Sequence, residues 1–313
     1  MKYESINDGL EISYFNIDWL SENDGPGKRL VLFLQGCHLE CIWCHSPHSQ
    51  PNKSPLLYLD SLCKKCQRCK LACEQDVHRF IENKHIIQRE NCIKCGACIE
   101  ACPQSSSNCK TGALSLPTRN ANVLSLFKSI EPHLELLKNI GGITFSGGEP
   151  LLQSKALVLL AKKCKESGFH TTLETSGIVP LPYIQNIFPY IDTWLVGMRL
   201  LTGANTLPSI DLEKITRGTL NFLTQSPETE IIVRIPVIPG FTTTKSYLNS
   251  AKKILQEYKI KNIELLPYNP ESSHYYKAMG ITNQIEYNSS KADKMYKYVI
   301  DFLIHKKPKQ IML

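Results

Sequence analysis

Cys37, Cys41 and Cys44 lie close together directly after the apolar run Leu30–Leu34, which predicts a buried strand. A four-iron cluster has four iron corners, so three thiolates leave one iron available to a ligand that is not part of the protein. A structural zinc ion or a disulfide loop is the alternative, but a structural metal site uses all of its ligand positions. The number three therefore favours an iron–sulfur cluster that takes part in chemistry.

A second group of cysteines is confined to residues 56–117, which hold nine of the thirteen cysteines. Two runs there repeat the bacterial ferredoxin motif, in which three cysteines are spaced two residues apart and a fourth follows after three more. In that motif the fourth cysteine of each run binds the cluster of the other run. The predicted ligand sets are Cys63, Cys66, Cys69 and Cys102 for one [4Fe-4S] cluster, and Cys92, Cys95, Cys98 and Cys73 for its partner.

Two features of this block depart from the ferredoxin motif. Glu74 follows Cys73 where the motif has proline, and residues 104–110 interrupt the segment after the second run. This interruption contains Cys109, which is the alternative to Cys102 as the distal ligand. Two zinc sites are the alternative for the whole block, but zinc spacing seldom packs three cysteines into seven residues. We expect clusters that conduct or tune electrons, with a purely structural role as the second interpretation.

Outside this block, short apolar strands alternate with amphipathic helices such as Ser154–Glu166 and Thr244–Tyr258. The strands predicted after Leu30–Leu34 are Ile143–Ser146, Thr171–Glu174, Thr193–Val196, Ile231–Ile235 and Ile263–Leu266. Repeated βα units predict a parallel sheet, here of about six strands. Functional residues of such sheets gather at the C-terminal ends of the strands.

The sequence around the first three cysteines resembles the opening of the glycyl radical enzyme activating enzymes, which are radical S-adenosylmethionine (SAM) enzymes. The resembling segments are Asp24–Gly27 with Arg29, Phe33–Cys37 and Trp43–His45. The resemblance implies an α/β fold, with a partial (β/α)6 TIM-type barrel and an inserted bacterial ferredoxin-like domain. It also implies that SAM chelates the open iron of the cluster on Cys37, Cys41 and Cys44, the catalytic residues. One electron from that cluster would then release a 5'-deoxyadenosyl radical.

The same resemblance assigns SAM contacts to the ends of several strands. A Gly-Gly-Glu turn corresponds to the motif for the SAM amino group, and later strand ends correspond to contacts with the carboxylate, ribose and adenine. The predicted cofactor-binding residues are Trp43, Gly147, Gly148, Glu149, Glu174, Ser176, Met198, Arg199, Arg234, Tyr268 and Asn269. Pairing with Glu174 is the alternative role of Arg234, because a buried charge needs a partner.

Four positions depart from the family pattern. The segment Gly197-Met198-Arg199 stands where the family has Asp-x-Lys, so the aspartate is missing and arginine replaces lysine. Asn269 stands where many relatives have histidine, and His48 where they have an acidic residue.

These departures leave two enzymatic functions. An activating enzyme would abstract hydrogen from a glycine of a large partner enzyme, whereas a stand-alone radical SAM dehydrogenase or epimerase would act on a small molecule or peptide. The first is the expected function. A third, non-enzymatic interpretation is an electron-transfer ferredoxin protein, and the three-cysteine loop argues against it.

The predicted order is a first barrel part at residues 1–55, a two-cluster insert at residues 56–117 and the remaining barrel at residues 118–313. Three [4Fe-4S] clusters, SAM, a glycyl radical enzyme and a flavodoxin or ferredoxin-type electron donor are the expected cofactors and partners. The formal charge of +7 is not concentrated in an arginine-rich stripe, which argues against nucleic acid.

Membrane association and secretion are not expected either. No apolar run approaches the roughly 20 residues that cross a bilayer, and the N-terminus lacks the apolar core of a secretory signal. The odd number of cysteines, thirteen, is a further argument against a disulfide framework. We therefore expect a cytoplasmic protein.

Overall fold

The structure is a computed structural model that describes residues 9–104, 112–201 and 211–303. Cys109, the alternative distal ligand, lies outside these ranges. The strands are β1 (Glu11–Ser21), β2 (Lys28–Leu34), β3 (Leu57–Tyr58), β4 (His78–Ile81), β5 (Lys84–Ile87), β6 (Leu114–Ser115), β7 (Arg119–Asn122), β8 (Gly141–Gly147), β9 (His170–Thr175), β10 (Thr193–Gly197), β11 (Glu230–Val237) and β12 (Asn262–Pro267). The helices are α1 (Arg68–Leu71), α2 (Ala97–Glu100), α3 (Val123–Leu137), α4 (Ser154–Glu166), α5 (Leu181–Ile187), α6 (Leu212–Leu223), α7 (Lys245–Glu257), α8 (Ser273–Met279) and α9 (Ser289–Leu303). Within the described ranges, none of these helices meets the length and hydropathy required of a membrane span.

A mixed eight-stranded sheet forms the centre of the molecule, in the order β12-β11-β10-β9-β8-β2-β1-β7. Six strands of this sheet are parallel, namely β2, β8, β9, β10, β11 and β12. Each of them pairs with the strand before it in this series. The six predicted strands and the α/β class are thus confirmed. The sequence pattern does not indicate β1 and β7, which pair antiparallel at the edge beside β2.

Helices α3, α4 and α7 cover the sheet with one apolar face each. In α4, the buried positions 156, 157, 160, 161 and 164 follow helical spacing, and Cys164 is fully buried among them. Cys164 therefore acts as a small core residue, as its place in the sequence suggests. Buried Arg29 links β2 to the neighbouring strands by donating to Thr144 Oγ1 at 3.0 Å and Thr172 Oγ1 at 2.9 Å.

The cysteine-rich segment forms a small unit on the side of the sheet. Its first and last strands, β3 and β6, pair antiparallel, and β4 pairs with β5 as a hairpin. The two cysteine runs adopt the same backbone, since Gln67 and Gly96 both have positive φ (63° and 88°) immediately before α1 and α2. Arg89 connects this unit to α8 by donating to the Ala278 carbonyl at 2.8 Å. The internal repeat of the sequence is thus also a repeat of structure.

Candidate active site

A cavity of about 460 Å³ lies at the C-terminal ends of the parallel strands. The predicted site residues that line this cavity are Cys37, Cys41, Trp43, Cys44, Gly147, Gly148, Glu149, Glu174, Ser176, Arg199, Arg234 and Asn269. The lining also includes three residues from β1 and the turn after it, namely Asp18, Asn23 and Asp24. The topology therefore brings together residues that are more than 200 positions apart in the sequence.

The cysteine loop is held by backbone hydrogen bonds at its start. Gly36 N–H donates to the Ser49 carbonyl at 2.7 Å, and Cys37 N–H donates to the Gln50 carbonyl at 3.0 Å. The Gln35 side chain, buried beneath this turn, donates to the His48 carbonyl at 2.9 Å. These bonds fix the position of Cys37, which carries the first thiol, just after the end of β2.

Gly147 and Gly148 allow the end of β8 to lie against this loop. Gly147 has a φ of 113°, and a Cβ atom there would lie 2.3 Å from Leu34 N. A Cβ atom on Gly148 would lie 2.2 Å from the Gly36 carbonyl oxygen. In their place, Gly148 N–H donates to the Leu34 carbonyl at 2.9 Å and Glu149 N–H donates to the Gly36 carbonyl at 2.8 Å. The two glycines thus let β8 pack closely against the cysteine loop and fix its position.

The carboxylate of Glu149 is buried and already accepts several hydrogen bonds. Thr175 Oγ1 donates at 2.8 Å, and Ser176 donates through its backbone N–H at 2.9 Å and its hydroxyl at 2.6 Å. Leu151 N–H donates at 3.3 Å. Glu149 therefore ties the end of β8 to the end of β9, a role that the motif alone does not reveal.

The three thiols lie in a buried setting that suits bound iron. Burial raises the pKa of Cys44 to about 12, and burial together with Glu149 raises the pKa of Cys37. Burial also raises the pKa of Cys41, although Arg199 opposes the effect. Such thiols keep their protons unless a metal displaces them, because the thiolate is the coordinating form. Three soft sulfur donors on one cavity therefore fit an iron–sulfur cluster.

Arg234 is surrounded by acidic partners. It donates to Glu174 at 3.0 Å and to Glu264 at 2.9 Å, and Asp24 lies at 3.7 Å. Burial alone would raise the pKa of Glu174, but Arg234 and a hydrogen bond from Ser146 hold it below its usual value. Arg234 therefore pairs with Glu174, as the alternative interpretation of the sequence proposed. A ligand that contacts Arg234 would meet a guanidinium whose charge is already balanced by carboxylates of the chain.

Arg199 and Met198 occupy different environments although they are adjacent. Arg199 lines the cavity, whereas the Met198 side chain is 1% exposed and belongs to the hydrophobic core. Met198 uses its backbone, donating to the Arg234 carbonyl at 2.8 Å and accepting from Tyr247 Oη at 3.0 Å. The structure therefore does not bring the predicted Met198 side chain to the cavity.

Tyr268 is also buried away from the cavity lining, where it packs with Trp43 and Ile238. The phenol hydroxyl of Tyr268 accepts from Asn283 Nδ2 at 2.8 Å. Tyr268 is therefore not among the residues that line the cavity, whereas neighbouring Asn269 is.

His45 is a cavity residue that the sequence analysis did not assign. Asn269 N–H donates to its Nε2 atom at 3.2 Å, so the neutral ring carries its proton on Nδ1. Burial and the nearby Arg199 charge lower the pKa of His45 to about 4. Its position directly after Cys44 is the signal that would have identified it.

The eight cysteines of the small unit that the structure describes form two groups of four. Cys63, Cys66, Cys69 and Cys102 line one small cavity, and Cys73, Cys92, Cys95 and Cys98 line another. This crosswise grouping is the one that the ferredoxin motif predicts. Burial raises the pKa of Cys69 to about 11 and that of Cys98 to about 12, so these thiols also suit bound iron.

A buried histidine pair lies against the first of these groups. His85 has Nδ1 at 3.7 Å from Cys63 Sγ and Nε2 at 3.8 Å from Cys69 Sγ. His78 Nδ1 lies 2.9 Å from the same Nε2 atom. The pair comes from the β4–β5 hairpin between the two cysteine runs, a placement that the spacing of the cysteines does not reveal.

Comparison with protein families gives two matches. A 4Fe-4S dicluster domain profile matches residues 56–103, and a 4Fe-4S single cluster domain profile matches residues 90–195. The first match covers both cysteine runs.

Characterised relatives align over most of the chain. The (2S)-3-sulfopropanediol dehydratase activating enzyme of Klebsiella oxytoca is 32% identical over 278 residues, which is 85% of each chain. The isethionate sulfite-lyase activating enzyme of Desulfovibrio desulfuricans is 29% identical, over 95% of this chain and 97% of the relative. Among solved structures, a domain of a pyruvate-formate lyase-activating enzyme from Bacteroides vulgatus is 19% identical with a TM-score of 0.39, over 52% of this chain and 94% of that one.

Proposed function

Because this chain belongs to the glycyl radical enzyme activating enzymes, we propose that Cys37, Cys41 and Cys44 hold the [4Fe-4S] cluster with which it performs radical SAM activation of a glycyl radical enzyme. When bound, the cluster and SAM supply an electron and a 5'-deoxyadenosyl radical that takes hydrogen from a glycine of the partner. The protein holds the three thiols, orients SAM and restricts the access of water.

The observation that carries this proposal is the meeting of three thiols and the ends of the parallel strands around one cavity of about 460 Å³. A cavity of this size accommodates a small nucleotide beside a cluster. Three thiols on one loop leave one iron without a protein ligand. The stand-alone dehydrogenase or epimerase has no comparable support, since the relatives named above are activating enzymes.

For SAM itself, we propose contacts with the predicted residues that line the cavity. Arg199 presents a planar cation suited to a carboxylate, and the backbone at Gly147 and Gly148 is open to close approach. His45, as the Nδ1–H tautomer, adds a neutral donor. The proposed SAM contacts also include Trp43, Ser176 and Asn269. The charged side chains of Glu149, Glu174 and Arg234 contribute as well, and their positions are fixed by their hydrogen bonds and ion pairs within the chain.

We further propose that residues 56–117 form a ferredoxin-like insert with two more [4Fe-4S] clusters, and that residues 1–55 and 118–313 form a partial (β/α)6 barrel. Cys63, Cys66, Cys69 and Cys102 would hold one cluster, and Cys92, Cys95, Cys98 and Cys73 the other. The paired β3 and β6, at the start and end of the segment, support an insertion at this point. These clusters would accept electrons from a flavodoxin or ferredoxin-type donor.

The test uses anaerobically reconstituted protein with SAM, reductant and a large glycyl radical enzyme encoded near its gene. We expect SAM-dependent 5'-deoxyadenosine and a glycyl doublet in electron paramagnetic resonance (EPR) spectra. The matched controls are Cys37→Ala in this chain, which should lose both signals, and Cys164→Ala, which removes a core thiol and should keep both.

Two outcomes would contradict the proposal. An undiminished yield of 5'-deoxyadenosine from Cys37→Ala would show that this thiol does not hold the cluster. Formation of a SAM-dependent product from a metabolite or peptide pool, without a glycyl doublet on any neighbouring large enzyme, would favour the stand-alone enzyme instead.

A further inference from the structure

The guanidinium of Arg199 lies directly over Gly197. The three atoms nearest to a Cβ placed on Gly197 are Cζ, Nη1 and Nη2 of Arg199, each at 3.2 Å. The glycine has ordinary extended backbone geometry, so its lack of a side chain is not required by a turn. The space that a side chain at position 197 would fill is instead taken by the arginine head group.

This guanidinium has no carboxylate at ion-pair distance in the part of the chain that the structure describes. Within the described ranges Arg199 forms no ion pair, whereas Arg234, in the same cavity, is close to three carboxylates. The Nη1 atom of Arg199 is buried and has no hydrogen-bond partner among the described residues. The cavity therefore contains one fixed positive charge that forms no direct ion pair with the described residues, although it acts on Glu174 across the cavity and helps to lower the pKa of that carboxyl.

This charge faces the cysteine loop. The side chain of Arg199 is within hydrogen-bonding reach of the Cys41 thiol, and both residues line the cavity. The reduction potential of an iron–sulfur cluster depends on nearby charge and on hydrogen bonds to its sulfur ligands. Reduction adds one negative charge, so a cation beside a ligand sulfur favours the reduced form.

We propose that Gly197 and Arg199 act as one unit that raises the reduction potential of the cluster on Cys37, Cys41 and Cys44, with glycine providing the space and arginine the charge. This inference rests on the proposed function, because it needs a cluster at that loop. The reaction that it affects is a one-electron reduction by an external donor of the flavodoxin or ferredoxin type. Arg199 neither forms nor loses a bond in this reduction. Its effect here is electrostatic and is separate from the contact with SAM proposed above.

The test is an EPR-monitored redox titration of the reconstituted full-length protein. In the unmodified protein, the cluster on the three-cysteine loop is identified as the one whose EPR signal changes on addition of SAM, and the titrations of all variants then follow that signal without SAM. We expect Arg199→Gln, which keeps hydrogen-bonding ability but removes the charge, to make reduction of this cluster at least tenfold less favourable. That corresponds to a midpoint potential lower by about 59 mV. Arg199→Lys keeps the charge and should shift the potential less.

The second variant, Gly197→Asp, places a carboxylate in the space that the Arg199 head group now occupies, so the guanidinium must shift and acquires an adjacent negative charge. This variant should also lower the midpoint potential of the cluster. An effect that depended only on the loss of the arginine side chain would leave the potential of this variant unchanged. The matched control is Arg217→Gln, because Arg217 pairs with Glu213 and Glu257 outside the cavity. It should leave the potential unchanged.

The outcomes separate this inference from the proposed function. If no cluster responds to SAM even in the unmodified protein, the proposed function fails and this inference with it. If a SAM-responsive cluster is present and Arg199→Gln and Gly197→Asp both leave its potential within the range of Arg217→Gln, the inference alone is refuted. Should Arg199→Gln fail to retain the cluster, the Gly197→Asp result decides.

Discussion

Replacement of Gly148 by alanine tests whether the Gly-Gly-Glu turn positions the cysteine loop. The added Cβ would lie 2.2 Å from the Gly36 carbonyl oxygen, whereas real Cβ atoms essentially never approach closer than about 3.0 Å. The two backbone segments would therefore have to separate by about 0.8 Å. Because the opposing atom is backbone, no side-chain rotation can relieve the contact.

A movement of that size affects both stability and the cluster. Along the bond direction it would stretch the 2.8 Å hydrogen bond from Glu149 N–H to the Gly36 carbonyl to about 3.6 Å, which is too long for a hydrogen bond. The loss of this buried bond costs about 1–3 kcal/mol of the free energy of unfolding. It would also displace Cys37, the next residue, by a distance that is large for a metal ligand.

The assay compares Gly148→Ala with Gly218→Ala after anaerobic reconstitution. Gly218 lies inside α6, and a Cβ atom there meets nothing within 4 Å, so alanine should leave the cluster intact and raise helix stability by roughly 0.5–1 kcal/mol. Gly148→Ala should lose the SAM-responsive EPR signal and most 5'-deoxyadenosine formation, while the signals of the other two clusters persist. A normal SAM-responsive signal in a well-folded Gly148→Ala protein would refute the positioning argument.

Three further predictions concern other parts of the molecule. Cys102→Ala should remove one of the two auxiliary EPR signals and Cys109→Ala should not, and the reverse result would exchange their roles. Glu149→Gln should lower the free energy of unfolding by about 1–3 kcal/mol, because the new amide NH₂ group would face the hydrogen-bond donors that now point to the carboxylate. Equal melting temperatures for the variant and the parent protein would contradict this prediction. Burial lowers the pKa of His48 to about 4, whereas in the unfolded chain this side chain takes up a proton near pH 6.5. The contribution of neutral His48 to the free energy of unfolding should therefore be fully present above about pH 6.5 and should decrease as the pH falls toward about 4. His48→Gln should reduce this dependence in thermal unfolding measured from about pH 7.5 to pH 5.5, and an unchanged slope would show that His48 is not its source.

The local sequence determined much of the fold and of the site. The six parallel strands follow from apolar runs at regular intervals, because a strand covered on both faces must be apolar along its length. The cysteine loop and the two ferredoxin-type runs are local as well, since each proposed cluster takes three of its ligands from one short run. The crosswise grouping of Cys73 and Cys102 was predictable because each run repeats the same short backbone turn.

Other features depended on contacts between distant residues. The partly exposed strand β1, which lies between β2 and the edge strand β7, carries a weak apolar pattern, and the turn after it places Asp24 in the cavity. The roles of Glu149 and Arg234 as partners of neighbouring strand ends, and the burial of Met198 in the core, are visible once the strands are side by side. The same is true of the position of the Arg199 guanidinium over Gly197. The sequence by itself determined which chemical groups stand at each strand end, and the tertiary structure decided which of them are already paired, because that depends on distances between segments that are far apart along the chain.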